Sequence, residues 1–532
     1  VTPPPSTANR QIARAAGTVM FAILFGQIAG LARGIIVANA FGASLELDAF
    51  YAANRVSETL FLLVAGGALG SAFIPTFTGL LAREEKASAW RLAFSLANAV
   101  TLTLSLLAAL TAFFAPQVVR YALAPGFSAD PVIFALTVSL LRIQLISAVL
   151  FGLGGLMVGI LNAHQIFLIP ALTPAMYQLG IIFGAVFLAP SLGIYGLAWG
   201  VVIGAVLYLI VQIPSLFKVL TERQVLITDY WSLNLKDSNV RTVLLLMLPR
   251  LLGVAVVQLN FWVNTNLASR MEAGSVASLT YGFSLMLMAQ AAIAQSVAIA
   301  AMPTFSAQHA LGKLDEMRSS VAASLRAVFM MALPASLGLM ILRKPLISLL
   351  YQRGEFDQRA VEMVAWALLW YAAGLVGHSI MEVLTRAFYA QQDTKTPVII
   401  GTIAMGLNVV FSLWFSRWFA QIGWYPLGGL ALANSFATAL EAAALFIFLR
   451  KRLNGIEGKS LADGAWRVGA SALGMAIGLG VWIQATGSLN RWLVTLGGVA
   501  VGAMVYFAGI VFLKVPEVKT IINALQRRLI KN

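Results

Sequence analysis

The sequence predicts an all-α protein that crosses a membrane many times and is built as two similar halves. Three observations carry that expectation. Of the 532 residues, 60% are hydrophobic and 11% charged, with a mean hydropathy of +0.85, which leaves too little polar surface to clothe a water-soluble globule. Apolar runs of about 20 residues, the length that crosses about 30 Å of hydrocarbon, recur from end to end. Short motifs of the first half return about 230 residues later, in the same order.

Cutting the chain at its polar breaks gives about fourteen spans. Six lie at 14–40, 47–81, 91–115, 130–161, 166–188 and 192–217. Six more lie at 241–269, 276–308, 319–342, 360–389, 397–416 and 427–450, and a last pair at 465–484 and 492–513. The first span follows VTPPPSTANR, which lacks the charged lead and short apolar core of a signal peptide, so this helix is expected to act as its own insertion signal. IPTFTGLLA (74–82) closes the second span and MPTFSAQHA (302–310) the eighth. NAHQIFLIP (162–170) leads into the fifth and YAQQDTKTP (389–397) into the eleventh. GIYGLAWG (193–200) is echoed by YPLGGLALA (425–433).

The expected organisation is an N-lobe at 10–220, a C-lobe at 240–452, a helix pair at 465–513 and a tail at 515–532. An even number of spans in each half makes them parallel repeats about an axis along the membrane normal. Two equivalent lobes leave a crevice that can open to either side by rocking, which points to transport. A duplication kept for packing alone is the alternative. In the tail, Val518, Ile521, Ile522, Leu525 and Leu529 share a helical face, while Lys519, Arg527, Arg528 and Lys531 lie largely elsewhere. That suits a helix lying on an anionic leaflet, with a solvated basic tail as the alternative.

The formal net charge of +15 is not spread evenly. Arg83, Lys86 and Arg91, then Lys218, Arg223, Lys236 and Arg241, then Arg450, Lys451, Arg452 and Lys459 occupy alternate polar breaks, whereas 41–47, 116–131 and 185–195 carry almost none. This alternation predicts both termini in the cytoplasm and argues against a nucleic-acid partner. The absence of cysteine excludes disulfides and thiol chemistry.

Charges inside the spans are the informative residues. Arg or Asp at the centre of a membrane helix costs about 2.5–3.5 kcal/mol on insertion scales, so such residues usually face an interior cavity. Arg33 sits in the first span within the four-residue ladder Gly26, Gly30, Gly34, a spacing that lets helices approach closely. Asp48 and Arg55 share a face of the second span, with Glu58 one turn beyond. Arg142 enters the fourth span and Arg250 follows Pro249 in the seventh; Glu382 and Arg386 are spaced for an internal salt bridge. Arg33, Asp48 and Arg55 cluster in the first two helices, where one anionic ligand could meet both arginines. Enzyme chemistry finds little to work with. His164, His309 and His378 are far apart without ligand spacing, there is no nucleotide-binding loop, and no acidic cluster would hold a metal for pyrophosphate chemistry. No metal and no cofactor are expected.

GLARGIIVANAFGASLELDAFYAA, AFIPTF, LYQRGEFD and AFYAQQDTKTPV together resemble the MurJ (MviN) family of lipid II flippases, in the superfamily that also holds polysaccharide flippases and MATE exporters. The resemblance runs from about residue 10 to 515. It implies fourteen helices in two lobes and a transporter rather than an enzyme. The implied activity is to carry undecaprenyl-pyrophosphate-linked peptidoglycan precursor across the bacterial cytoplasmic membrane by alternating access. A cationic cavity and a lipid-tail groove at the last two helices are implied with it, as are membrane lipids and cell-wall synthesis proteins as partners. Arg33 matches the arginine of the family's ARD motif, Gly34 replacing its aspartate; Asp48 matches the family's aspartate, and Arg55 falls where a basic residue is usual. Gln27 stands for the other first-helix arginine. Phe61, Leu62 and Gly66, and Gly282 and Phe283, replace further charged positions, which leaves Arg142 and Arg250 as candidates to compensate. Asn408 and Ser412 lack the carboxylate that a sodium site would want. The alternatives are a flippase for another polyprenyl-linked oligosaccharide, a MATE-like exporter of amphipathic cations, and a non-transporting scaffold for cell-wall enzymes.

Overall fold

The computed structural model describes residues 5–64, 68–222, 237–487 and 489–515; for 5–19, 64, 68–71, 222, 248–250, 252 and 459–460 the backbone alone is described. The expected tail lies outside the described residues from 516 onward. Among the described residues the chain is helical, without strands. In chain order the helices are α1 (Pro5–Phe41), α2 (Leu45–Val64), α3 (Ala68–Ala82), α4 (Lys86–Phe113), the single turn α5 (Ala115–Gln117), α6 (Pro131–Ala163), α7 (Leu168–Phe183), α8 (Ala189–Leu192), α9 (Ile194–Ile210) and α10 (Ile213–Glu222). Then follow α11 (Ser238–Ala268), α12 (Ser275–Gln290), α13 (Ser296–Ala310), α14 (Leu314–Tyr351), α15 (Gln358–Ala373), α16 (Leu375–Ala390), α17 (Lys395–Gln421), α18 (Leu427–Arg452), α19 (Gly458–Thr486) and α20 (Arg491–Phe512).

Among the described residues eleven helices are long and apolar enough to cross a membrane, and α15 with α16, bent by 44°, makes a twelfth if the pair is one span. Of the other two expected spans, 47–81 includes 65–67, which lie outside the described residues, and 241–269 falls on α11, where the side chains of 248–250 and 252 are not described; the shorter apolar helices Ala72–Ala82 and Ser238–Met247 belong to these regions. Large apolar side chains such as Phe21, Phe113, Trp466 and Phe512 are more than two-thirds exposed, an arrangement that only lipid makes favourable. The chain is a multi-pass membrane protein.

Two compact units form. The first gathers the chain up to Val276 together with Arg353–Phe356, and the second holds Ala277–Gln352 and the chain from Asp357. Thus α11, read from the sequence as the first span of the second repeat, groups with the first unit, where it packs on α2 and α3. The core of the first unit joins Phe73, Phe77, Trp90, Leu96 and Leu104 to Val240, Val243 and Met247. That of the second joins Phe305, Val321, Val328, Val383, Phe388 and Leu445.

The bend between α15 and α16 has an identifiable cause. A Cβ at Gly374 would stand 2.3 Å from Ser435 Oγ, so glycine lets α18 come this close. The kink frees carbonyls that hydrocarbon cannot solvate. Ser435 Oγ donates to Trp370 O at 2.7 Å and Ser336 Oγ to Ala372 O at 2.6 Å.

Candidate functional site

The candidate site forms around α2. Ser44 starts this helix, its Oγ accepting from the Leu47 N–H at 3.2 Å, and Glu46 and Asp48 in the first turn complement the positive end of the helix dipole. Asp48 is 1% exposed, and its Oδ2 accepts the Gly274 N–H at 2.7 Å. Gly274 has a φ of +89°, and a Cβ there would stand 2.2 Å from Ala43 O, so glycine alone can present this N–H to Asp48. Nearby, the Glu355 N–H donates to Asn39 O at 3.0 Å.

Two turns along α2, Arg55 Nη1 donates to Glu58 Oε2 at 2.9 Å, and its guanidinium lies 4.7 Å from the ring centre of Phe261 on α11. The Arg55 side chain is 22% exposed and that of Glu58 43%. Arg55 Nε is buried and makes no hydrogen bond. This corner of α2 is held on two sides. Ser57 Oγ donates to Gln144 O on α6 at 2.6 Å, and Thr59 Oγ1 accepts from Trp262 Nε1 on α11 at 2.9 Å.

α1 brings Arg33 to the same neighbourhood. Gly26 and Gly30 face Ala175 and Gln178 of α7, where an added Cβ would make only ordinary contacts at 3.9 and 3.7 Å, so the packing of these two helices does not require the glycine ladder. Arg33, one turn beyond Gly30, is partly buried. It acts electrostatically on the Tyr177 hydroxyl of α7, as does Glu58, and Asn54 of α2 hydrogen-bonds that hydroxyl. Arg33, Asn54, Arg55, Glu58 and Tyr177 are thus gathered from three helices of one unit. Two guanidiniums against one carboxylate leave surplus positive charge and a free N–H, a set suited to an oxyanion with several acceptor oxygens.

The remaining expected residues stand elsewhere. Gln27 is exposed on α1. Arg142 is exposed, and its Nε donates to Ala112 O at 3.1 Å, in the last turn of α4, where a cation meets the negative end of a helix dipole. The Arg250 side chain lies outside the described residues. Glu382 and Arg386 form the internal pair their spacing predicts, at 3.0 Å. Sequence reasoning passed over Asn54, Tyr177 and Phe261. A polar or aromatic residue inside an apolar run was their only signal, and nothing local links the three.

The second unit holds an apolar groove of about 310 Å³ between α14 and the pair α19–α20, lined by residues including Gly338, Leu342, Met475, Leu479, Val499 and Gly502. Among the described residues no three His, Asp or Glu side chains converge as metal ligands.

The fold is shared with an inward-facing multidrug-resistance MATE transporter of the MOP superfamily, which superposes with a TM-score of 0.68 over 82% of this chain and 98% of its own, at 16% identity. A family model described as lipid II flippase MurJ matches residues 37–496, and the chain belongs to that family. It is 35% identical over 441 residues to the lipid II flippase MurJ of Burkholderia cenocepacia, covering 82% of this chain and 84% of the relative. It is 31% identical over 497 residues to a probable lipid II flippase of Vibrio cholerae, covering 92% and 91%. A lipid II flippase MurJ solved in an inward closed conformation superposes with a TM-score of 0.78 at 25% identity, covering 93% of this chain and 98% of the other. Asp48, Arg55, Glu58, Arg142 and Arg250 fall within the matched range, while Gln27 and Arg33 precede it.

Proposed function

We propose that this protein moves lipid II, the undecaprenyl-pyrophosphate-linked peptidoglycan precursor, from the inner to the outer leaflet of the bacterial cytoplasmic membrane. The observation that carries this reading is the match to a lipid II flippase structure over 93% of this chain and 98% of the other. In the proposed mechanism Arg33 and Arg55 grip the pyrophosphate through charge-assisted hydrogen bonds, with the unpartnered Arg55 Nε as a ready donor. Glu58 holds Arg55 in place, Tyr177 and Asn54 supply neutral polar contacts, and Gln27, Arg142 and Arg250 are secondary candidates along the headgroup's path. Asp48 acts at one remove, by fixing the start of α2.

The polyprenyl tail is too apolar to enter a polar site, and the groove between α14 and α19–α20 offers it a place. Alternating access follows from the two-repeat reading of 10–220 and 240–452, a loaded headgroup being exposed first to one side and then to the other. The placement of Lys and Arg in alternate breaks supports both termini in the cytoplasm. Cell-wall synthesis proteins that make or consume the precursor are the expected protein partners. Complementation tests the reading: expressed in a bacterium depleted of its own flippase, this protein should sustain growth, and Arg55→Ala should not. Failure of the wild-type chain, properly inserted, would remove the assignment.

A further inference from the structure

The second unit carries an ionisable group that this reading does not use. Glu441 lies on α18, roughly 21 Å from the Leu427 end and roughly 16 Å from the Arg452 end at 1.5 Å per residue, well within a membrane span. It is 8% exposed and, among the described residues, makes no hydrogen bond or ion pair. Facing it from α17 is Gly401, where an added Cβ would stand 3.1 Å from Glu441 Oε1. The ionisable residues of α17, Lys395 and Arg417, lie towards its ends. From α16, His378 Nε2 is 3.1 Å from Asn434 Oδ1, and Glu382 is paired with Arg386. On α15, Arg359 and Glu362 belong to the first turns and Tyr371 to the last. Among the described residues no charged side chain acts on Glu441.

An isolated carboxylate in this setting would cost several kcal/mol, so the group must be neutral here or be met by a cation. Asn434, Thr438 and Glu441 follow one another at helical spacing on one face of α18, and all three are buried. On α17, which packs against α18, Asn408 Nδ2 is buried without a partner. Asn434 already pairs with His378, so Asn408 Nδ2 is the open group of this stripe, and a buried polar group left open in this way is a usual host of internal water. Glu441 thus stands at the end of a stripe that can hold water and pass a proton.

We propose that Glu441 is a proton-binding site whose loading is tied to the conformational cycle. The carboxyl is protonated in the buried state. When water reaches it, the proton passes to water as hydronium and leaves a carboxylate; reloading is the reverse. The link to a conformational cycle rests on the transport reading; the proton site itself does not.

Infrared difference spectra of the full-length protein in lipid nanodiscs, recorded between acid and alkaline pH, test the site directly. A protonated-carboxyl band should vanish as pH rises and be missing throughout in Glu441→Gln. Gly401→Ala, which crowds Oε1 and excludes water, should move the midpoint alkaline. Identical spectra for wild type and Glu441→Gln would overturn the proposal, as would a sodium-dependent rise in melting temperature lost in that variant, which would assign the site to a metal cation. In vesicles containing lipid II under an imposed pH gradient, wild-type flipping should respond to the gradient and Glu441→Gln should lose that response. Full gradient dependence in the variant would sink the coupling while leaving the flippase reading intact. If the wild type moves no lipid, the flippase reading fails, and the spectra still decide on Glu441.

Discussion

Removing the Arg55 guanidinium separates a binding role from a structural one, because its structural share is small enough to work out. The ion pair to Glu58 joins neighbours on one helix, with side chains 22% and 43% exposed. Pairs of that kind contribute about 0.3–1 kcal/mol. The contact with Phe261 at 4.7 Å adds about 0.5–1 kcal/mol. Arg55→Ala should therefore cost about 1–2 kcal/mol of stability, and the variant should express and insert normally. Its cost in transport should be larger. Each hydrogen bond between a guanidinium and a pyrophosphate oxygen contributes about 1.5–3 kcal/mol, so losing one slows flipping roughly tenfold to a hundredfold. Arg55→Lys keeps the charge without the planar fork and should recover part of the rate. The assay pairs a melting curve with lipid II flipping on wild type, Arg55→Ala, Arg55→Lys, Glu58→Ala and the double alanine variant. The double variant should regain the small coupling energy in its melting curve and stay inactive. Restored flipping in that variant would mean that the pair only holds α2 together, and the headgroup role of Arg55 would be lost.

Three further outcomes follow from geometry. Asp48→Ala strands the buried Gly274 N–H and should cost about 1–3 kcal/mol, seen as a lower melting temperature, with Gly274→Ala at least as damaging since its methyl would meet Ala43 O. Ser435→Ala leaves Trp370 O unsatisfied at the bend and should destabilise by about 1 kcal/mol or more, measured in the same way. Asp393 lies in the turn between α16 and α17; burial pushes its carboxyl up, but the Thr396 hydroxyl and N–H and the Arg452 guanidinium outweigh that and hold it at about 2, below its ordinary 3.8. Because the folded value is the lower one, its contribution is present above pH 3.8 and lost as pH falls through about 2. The gap in melting temperature between wild type and Asp393→Asn should accordingly stay constant at neutral pH and close only in strong acid.

Much of the fold was legible because hydrocarbon is a simple solvent. An apolar run of the right length has few options but a spanning helix, so most of the expected spans appear within a few residues. What the sequence hid is long-range. The 360–389 run reads as one helix, and its bend depends on Ser435 and Ser336 reaching freed carbonyls from other helices. The pairing of Asp48 with the Gly274 N–H joins residues 226 apart. Charge alone flagged Arg33 and Arg55, and spacing placed Glu58 beside Arg55, where the two pair. It could not show that Arg33 and Glu58 act on the same tyrosine, or that Arg142 is occupied at the end of α4. Glu441 went unread because one acid in an alanine-rich run has no partner spacing to betray it.

The central claim is that this chain carries lipid II across a bilayer, and vectorial transport in purified vesicles tests it most directly. Proteoliposomes containing only this protein and lipid II would be probed with a membrane-impermeant reagent that modifies the headgroup on one leaflet. With wild-type protein the protected pool should become accessible, and with Arg33→Ala/Arg55→Ala it should stay protected as in protein-free vesicles. A wild-type protein that leaves the protected pool unchanged, while correctly folded and inserted, would contradict the account.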